Sequence, residues 1–392
     1  MKKILVVGAG VAGLAVSYWL KKFGFLPILI EKSDFFRTGG HAVDIRSPAV
    51  DIIKKMGIYE TTFNMRARIE NHYHVDAENN IIRESCGEES EFNHGDDIEI
   101  VRSDLLNILM GSIKDTPCYF GQTITQMKQR EKNVEITFKD GRTEYYDLVI
   151  GADGLHSSTR QMAFAKGECD FIDLKSYIGV FSIPNYLNLS KSEIDFESDK
   201  KLISITVFND KHLSTAIVAF SFSCDKKLND VRDETEQKKL LRSTFMNMGW
   251  EVNRLLQLME NSDDFYFDSA KQVNMKSWTK GRIALIGDAG YCAAPLSGQG
   301  TSQAIVGAYL LALELKHSGD NHSIAFDRYN KLLRPYVEAN HDLGLWVSKM
   351  YFLPDNVSEV DVELRMSKIK EKLQIASNAI KLPDYGSKIL HF

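Results

Sequence analysis

The chain of 392 residues is 44% hydrophobic and 26% charged, an ordinary composition for a soluble globular protein of two or three domains. Its net charge of -5 excludes a general nucleic-acid binder, which carries a basic stripe. No stretch approaches the roughly 18 apolar residues needed to span a bilayer. Cys86, Cys118, Cys169, Cys224 and Cys292 are scattered, odd in number and without a C-x-x-C pair, so reduced thiols in a cytoplasmic protein are expected, not a zinc site or disulfide framework.

In chain order, residues 3–7 (Lys-Ile-Leu-Val-Val) form an apolar, β-rich run of the kind that makes a buried parallel strand. Lys2 and Lys3 ahead of it mimic a signal peptide, but the apolar run is too short for an h-region and glycines follow at once. A helical pattern through Leu14, Tyr18 and Leu20 ends at Gly24, and a second strand, Ile28-Leu29-Ile30, runs into Glu31. Ser47-Pro48 reads as N-cap and first turn of a helix closed by Gly57. Residues 133–138 and 142–146 alternate around Asp140-Gly141, a hairpin signal, and lead into the strand 148–150. Residues 171–226 predict an antiparallel sheet, followed by a charged helical stretch over 231–259. The strand 283–286 carries Gly287-Asp288, and helices are predicted over 300–317, 323–345 and 357–381.

Gly8-x-Gly10-x-x-Gly13 between strand and helix has a physical reading. The first glycine permits the tight turn, the second lets backbone approach a pyrophosphate, and the third lets helix and strand pack closely. Val11 and Ala12 open the helix, whose N-terminal N–H groups and positive dipole end suit phosphate. Glu31, followed by Lys32, closes the second strand, where a carboxylate can accept both adenosine ribose hydroxyls and repels a 2′-phosphate. Gly287-Asp288-Ala289, far along the chain, suits the other half of the same dinucleotide: a strand-end carboxylate is a pure acceptor for sugar hydroxyls. Gly298 and Gly300 flank a helix start whose dipole can face a flavin pyrimidine edge. The pair predicts FAD.

Asp153-Gly154-Leu155-His156-Ser157-Ser158-Thr159-Arg160 resembles the DGxxSxxR segment of group A flavoprotein monooxygenases. Gly287-Asp288-Ala289 with Pro295 and Gly298-Gln299-Gly300-Thr301 resembles that family's second FAD motif, and Arg102 stands where the family places a cofactor-contacting arginine. Tyr291 departs from the usual histidine, and Thr301-Ser302 stand where an asparagine is common. Three further segments, Gly39 to Arg46, Asp264 to Asp268 and Met275 to Arg282, are similar to those of the tetracycline destructases. The resemblance implies a Rossmann-like α/β FAD-binding domain (1–170 and 265–345) interleaved with an antiparallel-sheet substrate domain (171–264) and a C-terminal bridging helix and tail (346–392). It implies FAD as cofactor, NADPH as transient co-substrate and O2 as oxidant. The expected reaction is hydroxylation of a tetracycline through a flavin C4a-hydroperoxide, in a monomer without membrane or nucleic-acid partners. No protein side chain is expected to act as nucleophile or metal ligand, since the flavin carries the chemistry; His41 and His94 each lack a second ligand at workable spacing. Asp153 and Arg160 are expected to form an ion pair beneath the cofactor, in a segment that the family also links to NADPH use. A hydroxylase of another phenolic or polyketide metabolite, or a flavin-dependent lipid or quinone reductase, shares this architecture.

On the substrate side, alternation puts Ser204, Thr206 and Phe208 on one strand face, with Phe220 and Phe222 sharing a face of a neighbouring strand. Hydroxyls and aromatic walls suit a flat polycycle, although phenylalanines at this spacing equally fill a sheet core. Phe92, and Arg46 behind the Gly39-Gly40 loop, are further candidates for the cavity and the cofactor.

Overall fold

The computed structural model describes residues 1–35, 41–86, 95–224, 233–319, 321–350 and 359–385. Its first layer is a six-stranded sheet ordered Thr279–Lys280, Ile283–Leu285, Leu148–Gly151, Lys3–Val7, Leu26–Ile30 and Cys118–Tyr119, all parallel but for the first pair. The run 4–7 is apolar throughout because both of its faces are covered. Ile4 and Val6 point to the helices, where Leu14, Val16, Val306 and Leu310 join them in the main core. Leu5 and Val7 point the other way, onto Ile136, Phe138 and Tyr146 of a three-stranded sheet that contains the expected hairpin.

The helices Val11–Lys22 and Gly300–His317 lie side by side, with Trp19 edge-on to Tyr309 at 4.7 Å. The helix predicted after Ser47-Pro48 spans Ala49–Met56, with Pro48 in the cap position and Gly57 closing it at φ 75°.

The second layer is a seven-stranded sheet ordered Tyr266–Met275, Cys169–Pro184, Thr215–Ser223, Lys201–Val207, Ser192–Ser198, Asn71–Val75 and Ile81–Cys86. It takes in the expected antiparallel strands and adds strands from outside 171–264: Asn71–Val75 and Ile81–Cys86 arrive from the N-terminal third, the former pairing in parallel with Ser192–Ser198, and Tyr266–Met275 forms the opposite edge. The helical stretch predicted over 231–259 is two helices, Glu234–Phe245 and Val252–Glu260. Asn247, Gly249 and Trp250 between them take positive φ, which ends one helix and redirects the chain. The two helices bury Leu241, Phe245, Val252 and Leu255 against one face of the sheet. The other face is turned to the nucleotide sheet and carries the polar residues described below. The C-terminal part forms the helices His322–Met350 and Glu359–Ser377. No described helix is long and apolar enough to cross a membrane.

Candidate functional site

At the end of the strand Lys3–Val7, Gly8 adopts φ 106°, and a Cβ there would lie 2.6 Å from the Ala152 carbonyl oxygen. A Cβ on Gly13 would lie 1.8 Å from the Gly8 carbonyl oxygen, so helix and strand touch only because both residues lack one. Gly10 is different: nothing of the protein lies within 4 Å of where its Cβ would be. The space in front of Gly10 is open, and no side chain caps the helix that starts at Val11. Its first-turn N–H groups therefore face a cradle of phosphate dimensions. Glu31 stands beside that loop. Its Oε2 accepts from the Ala9 N–H at 2.8 Å and its Oε1 from the Ser33 N–H at 3.0 Å, which fixes the carboxylate and leaves a lone pair on each oxygen for hydroxyls. Lys32 is exposed beside it.

The second motif meets the first directly. Gly287, at φ 59°, packs so closely that a Cβ on it would lie 3.0 Å from the Ala12 Cβ. Asp288 follows with its side chain exposed to the open recess; the surrounding protein raises its pKa, partly offset by a hydrogen bond with Cys292 and by the charge of Arg102. Arg102 begins the helix Arg102–Ser112, and its backbone N–H donates to His41 O at 3.1 Å. Burial and the same guanidinium lower the His41 pKa to about 4, so His41 is neutral near pH 7. Pro295 is exposed and opens a short 3-10 turn that Gly298 closes at φ 61°. Gly300 and Thr301 then start the long helix with no side-chain cap, so that N-terminus is free as well. The two uncapped helix starts and the Gly10 cradle match an extended dinucleotide, and the donor set fits FAD.

Opposite this recess lies the polar face of the seven-stranded sheet. The register places His72 beside Glu193 and Glu193 beside Thr206; one step along, it places His74 beside Asp195 and Asp195 beside Ser204. Thr206 Oγ1 donates to Glu193 Oε2 at 2.7 Å, and Ser204 Oγ donates to Asp195 Oδ1 at 2.5 Å. His72 Nε2 lies 2.9 Å from Asp195 Oδ2 and 3.2 Å from Glu193 Oε1. Its hydrogen bond to Asp195 raises the His72 pKa, whereas burial and Arg83 lower that of His74 to about 4. Glu99, on the strand Ile98–Val101, joins this face to the nucleotide body: burial, then the charges of Asp44 and Glu193, push its pKa up to about 8.

The sequence family described as FAD binding domain matches residues 1–343. A flavin-dependent monooxygenase from Legionella longbeachae is 50% identical over 385 residues, covering 98% of both chains. The crystal structure of tetracycline destructase Tet(51) superposes with a TM-score of 0.92 at 52% identity, covering 98% of this chain and all of that one. That of tetracycline destructase Tet(55) gives 0.91 at 48% identity, with 98% and 99% covered. The chain is a flavin-dependent monooxygenase. It belongs to the FAD-binding family, and FAD is its cofactor.

Several side chains of the monooxygenase are placed differently from the sequence expectation. Phe220 is fully buried on the helix side of the sheet, stacked on Phe181 at 5.8 Å and edge-on to Phe245 at 4.7 Å, so it is core and not a cavity wall. Phe222 shares that face, whereas Ser204 and Thr206 lie on the opposite, polar face of the sheet. Arg46 is only 5% exposed; its Nη1 contacts Asp44 and donates to Gly298 O, both at 2.8 Å, so it fixes the cofactor loop. Gln299 also turns inward: its Nε2 donates to Ser377 Oγ at 2.7 Å, which leaves only its backbone for the cofactor. Tyr291, in the place of the family histidine, fills the groove left by Gly307 and meets Tyr329 at 3.3 Å. Phe92, His94, Gly39 and Gly40 lie outside the described residues.

The expected Asp153–Arg160 ion pair is replaced by two separate structural duties. Asp153 accepts from the Ser157 and Ser158 hydroxyls and from the N–H and hydroxyl of Thr159. Arg160 donates to Ala289 O at 2.7 Å and Leu155 O at 2.6 Å, tying this loop to the second motif. Replacing Asp153 with alanine strands those donors, and denaturant unfolding is expected to show a loss of about 1–3 kcal/mol. An unchanged midpoint would show that the loop is held by Arg160 alone.

Glu99 gives the fold a pH dependence of defined sign. Its pKa rises from 4.5 to about 8 on folding, so between those values the folded state binds more protons than the unfolded one. Its contribution is complete below 4.5 and is lost as pH rises through 8. His41 and His74, lowered to about 4, oppose this fall up to pH 6.5, so the apoprotein melting temperature is expected to fall between pH 6.5 and 8, and Glu99→Gln to flatten that fall. A steeper profile in the variant would contradict it.

Proposed function

We propose that this monooxygenase uses NADPH and O2 to hydroxylate, and so inactivate, tetracyclines. The observation that carries the reading is its likeness to Tet(51) over the whole chain, sheet layer and C-terminal helix included. Supporting it, the face opposite the cofactor recess is lined with hydroxyls, carboxylates and imidazoles suited to the polar edge of a polycycle.

In this reading Gly8, Gly10, Val11, Ala12 and Gly13 hold the pyrophosphate through backbone N–H groups, and Glu31 accepts the adenosine ribose hydroxyls. Arg102 and Asp288 grip the ribityl half. Bound FAD supplies the redox chemistry, taking electrons from NADPH and activating O2 for transfer of one oxygen atom. The N-terminus of the helix Gly300–His317 stabilises negative charge at the flavin pyrimidine edge, while Arg46 and Gln299 keep that loop in place. The sheet face, through Ser204 and Thr206, positions the substrate and excludes water.

The test is NADPH consumption with and without O2, across tetracyclines and simple phenols, with product mass measured. A product one oxygen atom heavier, formed only from tetracyclines, is expected. Equal turnover of phenols would replace this reading with a general phenolic hydroxylase, and oxygen-independent turnover would replace it with a reductase.

A further inference from the structure

We infer that His72, His74 and Asp195, with Glu193 beside them, form a site for a divalent transition-metal ion of the zinc class, on the polar face of the seven-stranded sheet. One ligand atom from each of His72, His74 and Asp195 lies within 4.8 Å of the other two. Glu193, whose Oε1 is 3.2 Å from His72 Nε2, stands beside this trio. Tetrahedral metal–ligand bonds of about 2.0–2.2 Å place donor atoms about 3.3–3.6 Å apart, so His72 and Asp195, now 2.9 Å apart, part slightly around an ion.

Three properties separate this group from a chance surface cluster. These side chains form a two-by-two grid on adjacent paired strands, His72 beside Glu193 and His74 beside Asp195, so their spacing is set by the sheet and not by loops. Each carboxylate has its other oxygen fixed by a hydroxyl from the next strand, Thr206 on Glu193 and Ser204 on Asp195, the outer-shell support that orients metal ligands. The donor set, two imidazoles and a carboxylate, suits zinc and its transition-metal neighbours better than calcium or magnesium, which favour all-oxygen sites.

The rings of His72 and His74 stack at 4.9 Å. Asp195 is nearly buried, while His72 and Glu193 keep about a third of their surface (35% and 27%), so the site is open on one side. The guanidinium of Arg83, on the exposed strand Ile81–Cys86, contacts His74 Nε2 and competes with a metal for that nitrogen. The open side would admit the adjacent keto and enol oxygens of a tetracycline as further ligands; that extension rests on the proposed reaction, whereas metal binding does not.

The test is calorimetric titration of the tag-free, FAD-loaded enzyme with Zn2+ in the absence of substrate, so its outcome is independent of the tetracycline reading. One ion per chain is expected, with affinity reduced at least about tenfold in His74→Ala and in Asp195→Asn, and reduced by about tenfold in Ser204→Ala. Arg83→Ala, which removes the competing cation, should bind Zn2+ more tightly. Asp195→Asn keeps the acceptor for Ser204, and His74 is only half-buried, so these variants test ligation rather than folding. Equal Zn2+ affinity in wild type, His74→Ala and Asp195→Asn, or no saturable binding to wild type and Arg83→Ala, overturns the assignment.

Discussion

Gly10→Ala is expected to yield a folded protein that no longer retains FAD. The methyl group would meet no protein atom within 4 Å, so the apoprotein should melt where the wild type does. It would project into the cradle in front of the uncapped helix start, where the pyrophosphate must come close to the backbone. A roughly 100-fold loss of FAD affinity, about 2.7 kcal/mol, is expected. Flavin fluorescence titration and apoprotein melting measure the two effects separately. Gly13→Ala is the contrasting case: its methyl would sit 1.8 Å from Gly8 O, forcing helix and strand apart, and both stability and cofactor should be lost. A Gly10→Ala protein that purifies fully yellow would remove the phosphate from this loop.

Phe220→Ala is expected to cost about 3–5 kcal/mol of stability and to leave the KM for substrate unchanged. The ring is wholly enclosed between Phe181 and Phe245, beneath the helices Glu234–Phe245 and Val252–Glu260. Gly179, its partner across the strands, lets Leu241 come so close that a Cβ there would lie 2.4 Å away, so little slack exists to refill a cavity. Ser204→Ala, on the other face of the same sheet, should show the reverse: a shifted KM with a small change in melting. Urea unfolding with saturation kinetics on both variants checks the pair; a raised KM in Phe220→Ala at unchanged stability would return that ring to the cavity.

These two positions also mark where the sequence is legible. The nucleotide loop can be read because its chemistry is local: strand, glycines, helix start and Glu31 lie within one short unit, Gly13 answers to a contact within it and Gly10 to an open space, and only Gly8 answers to a distant residue, Ala152. Alternation likewise identifies Ser204 and Thr206 as one face and Phe220 and Phe222 as another. It does not say which face the helices cover, because that depends on Leu241 and Phe245 arriving from further along the chain. Arg46 and Gln299 were recognisable as neighbours of the cofactor loop, but their partners Asp44, Gly298 and Ser377 decide that they brace it. His-Tyr-His at residues 72–74 carried an i, i+2 signal for two imidazoles on one strand face. Its carboxylate partners are more than a hundred residues away and become visible only once Asn71–Val75 pairs with Ser192–Ser198.

That parallel pairing has a consequence for how such enzymes can be recombined. The substrate-side sheet is woven from three separate stretches of chain, and the outermost two strands are encoded before the hairpins they lean on. A chimera that transplants only the central stretch, 171–264, would keep the host's own 71–86 strands and so inherit half of each cross-strand row from either parent. Transfer of this sheet intact between relatives therefore requires moving residues 71–86 and 266–275 together with the central block, and crossovers placed between them should yield hybrids that fold poorly.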